Sequence, residues 1–94
     1  MAILRVLIVE DDQADAELIT RELTKSGFDP IWLRVDKREE LSRRLVPEPP
    51  DVIIYDHNLP HFSSAEALQA TQEGGQGIPF IIVSHAIGDE DAVS

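Results

Sequence analysis

The 94-residue chain has no cysteine, which excludes a disulfide scaffold and any thiolate-based metal or nucleophile site. That absence fits a cytoplasmic protein. Basic residues are scarce as well: eight Lys and Arg stand against eighteen Asp and Glu, for a net charge of -10. A nucleic-acid surface needs a surplus of cations to meet phosphates, so the charge balance argues against this class. An acidic domain is suited instead to cations or to basic protein surfaces. Long apolar runs are also missing. The run from Met1 to Val9 is broken by Arg5 and followed at once by Glu10, Asp11 and Asp12, which fits neither a signal peptide nor a membrane span. Gly74, Gly75 and Gly77 make a turn, but no Gly-Lys-Ser/Thr follows them, so they are not a phosphate loop. There is no internal repeat and no linker. What remains is 43% hydrophobic and 28% charged, the composition of one globular domain with one core.

Two kinds of segment alternate along it. Leu4 to Val9 and Val52 to Tyr55 are apolar at nearly every position, as strands covered on both faces are. Ile78 to Val83 reads as a third such run, and Ile31 to Val35 as a shorter strand with Ile31, Leu33 and Val35 inward. Between the first two strands, Gln13 to Lys25 has helical spacing, with Ala14, Leu18, Ile19 and Leu23 on one face and Asp15, Glu17, Arg21 and Glu22 in water. Asp12 is its expected N-cap and Ser26-Gly27 its end. Asp36 with Glu39, and Ser63 with Glu66, carry the spacing of capping boxes. The first opens a helix with Leu41 and Leu45, ended by Pro47, Pro49 and Pro50. The second opens one with Ala67, Leu68 and Thr71. Gly88 to Val93 has the look of a further helical turn.

This β-α-β-α-β-α-β order predicts an α/β fold, a doubly wound parallel sheet with helices on both faces. In such sheets ligands bind where the strands end, beside a topological switch point. Glu10, Asp11 and Asp12 follow the first strand, Asp56 the third and Ser84 the fourth. Carboxylates converging there repel unless a cation neutralises them, and magnesium suits a few carboxylates completed by water or phosphate oxygens. A carboxylate is also a competent nucleophile toward phosphorus, giving an acyl phosphate, and a cation would offset the charge that repels the donor. Ser84 could hydrogen-bond a phosphoryl oxygen and report its arrival.

The stretches VLIVEDD, VIIYDHNLPHFSSAEAL and PFIIVSHAIGDEDAV, in this order and spacing, resemble the receiver domains of response regulators. The resemblance covers the whole chain and implies a flavodoxin-like fold with strand order 2-1-3-4-5. It implies that Asp56 is the phospho-acceptor, that Glu10 and Asp11 are the acidic pair and that Asn58 supplies a backbone carbonyl to Mg2+. Asp11 would touch the metal and Glu10 would act more distantly. Pro60 matches the proline of the following loop and Ser84 the switch hydroxyl. The implied function is that of a phosphorylation-dependent signalling switch of a two-component system, not a metabolic enzyme. Its partners would be a histidine kinase or phosphotransfer domain and an output domain in the parent protein. The chain departs from the family in His85, where a small residue is usual, and in His61, where glycine is favoured. The family's lysine, fifth strand and fifth helix would lie beyond Ser94. Residues 1–94 would then be an incomplete receiver domain ending near the start of the fourth helix. Should the chain stop there, its fourth strand is an open edge and self-association is expected.

Blander readings stand beside these. Glu10 to Asp12 alone suits a solvated helix N-terminus, Asp56 alone a turn or cap, and Ser84 alone a hydroxyl bonded to backbone. His57, His61 and His85 fall at the same edge, yet no pair has the spacing of a helical metal motif. Trp32 fits packing against a helix better than cofactor binding. Two other functions compete: a receiver-like interaction module that is not phosphorylated, and a haloacid-dehalogenase type phosphohydrolase. The second lacks its usual aspartate two residues after Asp56.

Overall fold

Strands whose residues are apolar on both sides can be stable only inside a sheet covered on both faces, and the chain builds such a sheet. The computed structural model describes residues 2–46, 48–56, 59, 61–74 and 77–83. The elements are β1 (Ala2–Val9), α1 (Gln13–Lys25), β2 (Phe28–Val35), α2 (Arg38–Arg44), β3 (Val52–Asp56), α3 (Ser64–Glu73) and β4 (Phe80–Val83). The strands form one parallel sheet in the order β2-β1-β3-β4. This is the flavodoxin-like order expected for the first four strands, with the switch point between β1 and β3.

Alternation divides the sheet between two cores. Leu7, Val9, Val35, Ile53 and Tyr55 face α2 and α3, where they meet Leu41, Leu45, Ala67 and Ala70. Val6, Ile8, Val52 and Ile54 face α1, packing on Ala16, with Ile19, Leu23 and Trp32 at the margin. β3 is buried along its whole length, and the apolar run that predicted it reflects that position.

Local signals act where expected. The Asp12 side chain accepts from the Ala14 amide at 2.9 Å and caps α1, and Gly27 takes the positive φ of 98° that ends it. At α3, Ser63 Oγ accepts from the Glu66 amide at 3.1 Å while Glu66 Oε1 accepts from the Ser63 amide at 2.9 Å. This reciprocal pair is the capping box.

Four expectations are corrected. In α1, Ala14 and Leu18 are exposed, and the helix is rolled so that Ala16 and Thr20 are buried. The small Ala16 allows close approach to the sheet, and the Thr20 hydroxyl is satisfied by the Glu17 carbonyl at 2.8 Å, which permits its burial. In α2 the N-cap is Lys37, without a side-chain cap bond; Glu40, not Glu39, reaches back to the Asp36 amide at 3.2 Å. In α3, Leu68 is exposed and Ala70 is buried in its stead. The sheet margins differ most. Ile31 and Leu33 lie half exposed, with only Val35 of that strand buried, and Ile81 and Ile82 of β4 are exposed too. β2 and β4 are the outer strands of the described sheet, where cover is partial. The outer position also admits Pro30 within β2, which extends to Phe28. β1 likewise begins earlier, at Ala2. The expected helical turn from Gly88 lies outside the described residues.

Candidate functional site

The register decides which acids meet. Val9 pairs with Tyr55 across β1 and β3, so the next two residues, Glu10 and Asp56, stand side by side at the strand ends. Both continue the series Val6–Ile8 and Val52–Ile54, which faces α1. The first turn of α1 contributes Asp15 to the same place. One carboxylate oxygen each from Glu10, Asp15 and Asp56 lies within 4.8 Å of the other two. Glu10 is 1% exposed and Asp56 0% exposed, while Asp15 is half-buried.

Glu10 is held from several sides. Its amide donates to the Val35 carbonyl at 2.9 Å, prolonging the sheet by one bond. Its carbonyl accepts from Arg34 Nη1 at 3.1 Å, and Arg34 Nε donates to Gln13 Oε1 at 3.1 Å. Arg34 thus fastens the turn between β1 and α1 to β2. Glu10 Oε2 accepts from the Asp12 amide at 2.9 Å. The other oxygen, Oε1, is buried with no hydrogen-bond partner among the described residues. A buried carboxylate oxygen in that condition is costly unless a ligand completes it. The three clustered carboxylates offer hard oxygen donors, which fit Mg2+ in type.

Phe62 is anchored on the opposite face. The Tyr55 hydroxyl donates to the Phe62 carbonyl, and its ring stacks on Phe80 at 6.2 Å and meets Phe62 edge-on at 6.5 Å. Burial, and secondly the negative Glu66, push the Tyr55 hydroxyl above its ordinary pKa of 10.0. Leu59 and Phe62 are buried with it.

Of the expected site residues, Glu10 and Asp56 are together. Asp11 is exposed and is not one of the three clustered acids; it is Glu10 that turns inward. Asn58, Pro60 and Ser84 lie outside the described residues, as do His57 and His85; His61 is exposed. Asp56 pairs with Val83, the residue before Ser84. Asp15 is the acid that sequence reasoning left in water. A signal was present, because Asp15, Ile19 and Leu23 follow at four-residue spacing, the interval that aligns side chains along one stripe of a helix.

A family model, the response regulator receiver domain, matches residues 6–94. Response regulator MprA of Mycolicibacterium vanbaalenii is 28% identical over 80 residues, covering 85% of this chain and 34% of that protein. Swarming motility regulation protein RssB of Serratia marcescens is 31% identical over 83 residues, covering 86% of this chain and 36% of that protein. Transcriptional regulatory protein QseB of Escherichia coli O157:H7 is 30% identical over 81 residues, with the same 86% and 36% coverage. The chain belongs to the response regulator receiver domain family, and it spans about a third of the length of these curated relatives. No helix among the described residues is long and apolar enough to cross a membrane.

Proposed function

We propose that this chain is the phospho-acceptor receiver domain of a two-component signalling system, that Asp56 takes a phosphoryl group from a histidine kinase or phosphotransfer domain, and that Mg2+ assists. The observation carrying this reading is the three-carboxylate cluster of Glu10, Asp15 and Asp56, one member of which, Glu10, has a buried oxygen without a hydrogen-bond partner among the described residues. Glu10, Asp15 and Asp56 would hold the ion, joined by Asp11 and the Asn58 backbone carbonyl that the family resemblance assigns. When bound, the ion supplies positive charge that offsets repulsion between the anionic site and an anionic donor. An Asp56 carboxylate oxygen attacks phosphorus in line with the donor imidazole nitrogen. The P–N bond breaks, an acyl phosphate forms on Asp56 and the imidazole leaves with a proton. Burial of Asp56 keeps bulk water from the acyl phosphate. Ser84 is the hydroxyl that would register the new group and pass the change to a partner surface.

The same reading assigns residues 1–94 to the receiver portion of a longer cytoplasmic protein. An output domain is supported by relatives of which the matched stretch is only 34–36% and which are named as regulators. Two measurements test the proposal. Incubation with Mg2+ and acetyl phosphate should add one acid-stable, base-labile phosphoryl group to the protein carrying the family's lysine, seen by intact mass. Asp56→Asn should abolish it, and labelling that persists elsewhere in that variant refutes the assignment. Amide shifts during an Mg2+ titration should saturate, with affinity reduced roughly 10–100-fold by Glu10→Gln or Asp15→Asn. Unchanged affinity in the double variant would mean that the ion binds somewhere else.

A further inference from the structure

We propose that the groove between β2 and the C-terminal end of α2 is a docking site for a partner-protein segment that carries apolar anchors flanked by carboxylates. The groove follows from the register. Arg5 pairs with Ile31 and Leu7 with Leu33, so all four side chains rise from the face that α2 covers. Leu41 and Leu45 close that face over Leu7 and Val35, but α2 stops at Arg44. Beyond its end the sheet is open, and Ile31 is 56% exposed, Leu33 49% and Val46 55%. Together they line a groove of about 410 Å³ rimmed by Arg5, Arg43 and Arg44. That is room for a few side chains, within the usual range of ~300–1,000 Å³ for ligand pockets.

Charge selects the occupant. The chain has only eight cations among eighteen acids, and three of the eight line this groove. Arg5 is partly answered by Glu48 at 3.4 Å, an exposed pair. Arg43 and Arg44 form no ion pair among the described residues. Arginine in the last turn of a helix is favoured by the helix dipole alone. That accounts for its place in α2 but not for three half-exposed apolar side chains beside it. An acidic segment would be repelled by most of this molecule and attracted here. Its apolar anchors would cover Ile31, Leu33 and Val46, as amphipathic segments fill grooves elsewhere. The site lies away from the acidic cluster and does not depend on phosphorylation.

The test uses a synthetic amphipathic peptide with leucines one helical turn apart and glutamates beside them, titrated into the isotopically labelled 94-residue chain. Amide shifts should centre on Ile31, Leu33, Arg43 and Val46, and binding should weaken with salt. Arg43→Glu with Arg44→Glu, both at exposed positions, should cost roughly tenfold in affinity, with an unchanged circular dichroism spectrum. A matching peptide with lysine for glutamate should bind more weakly. The proposal is overturned by any of four results: no saturable binding, shifts mapping elsewhere, equal affinity for the lysine peptide, or indifference to the double reversal. Sedimentation showing a dimer that the double reversal dissociates would also overturn it, because the occupant would then be a second copy.

Discussion

Tyr55→Phe isolates a single buried hydrogen bond beside Asp56. The tyrosine is 1% exposed, and its hydroxyl spans from β3 to the Phe62 carbonyl, just before the α3 cap at Ser63. Phenylalanine retains the ring contacts with Phe62 and Phe80, so the packing contribution stays. What goes is the O–H, leaving a buried carbonyl acceptor without it. A stranded buried group of this kind costs about 1–3 kcal/mol. At the middle of that range, ~2 kcal/mol, the melting midpoint should fall by roughly 8–16 °C in a domain of this size. The urea midpoint should fall by about 1–2 M. Urea melts followed by far-UV circular dichroism measure it. The raised Tyr55 pKa adds a second readout. Folding disfavours the phenolate, so the unfolded chain ionises first. The contribution is fully present below the ordinary value of 10.0 and is lost as pH rises through the higher folded value. The stability gap between the native protein and Tyr55→Phe should therefore narrow above about pH 10. A variant within ~0.5 kcal/mol of the native protein, or a gap that does not change across that pH range, would show that the hydroxyl does not hold this segment.

Two further substitutions probe the frame. Ser63→Ala removes one half of the α3 capping box and should cost about 0.5–2 kcal/mol in urea melts; no loss would mean that Glu66 alone sustains the cap. Leu41→Ala empties a fully buried position and should cost about 2–5 kcal/mol, whereas Leu33→Ala, at a half-exposed position, should cost less than ~1.5 kcal/mol. Equal losses would contradict the assignment of Leu33 to the open part of that face.

How much could be read in advance depended on whether the deciding interaction is local. Asp12, Ser63 and Glu66 act within one helical turn, so their spacing identifies the caps directly. The run VIIY suggests that β3 is covered on both sides, because a central strand suits successive apolar residues. The same inference misled at the margins. PFIIV is as apolar as VIIY, yet Ile81 and Ile82 are exposed, since composition records what a residue tolerates and not which neighbour covers it. The alternation of Ile31, Leu33 and Val35 does select one face of β2, but α2 reaches only as far as Val35.

The sequence by itself determined the order of elements, the parallel sheet and the arrival of Glu10, Asp11 and Asp56 at strand ends, because periodicity and capping are written in adjacent residues. Only the tertiary structure decided which of these acids meet. The pairing of Val9 with Tyr55 turns Glu10 and Asp56 to the same face. The roll of α1 about Ala16 brings Asp15 to them, while Asp11 stays exposed. Each of these outcomes rests on contacts between segments distant in sequence, and a one-residue change of register or a partial turn of the helix would have assembled a different set of carboxylates.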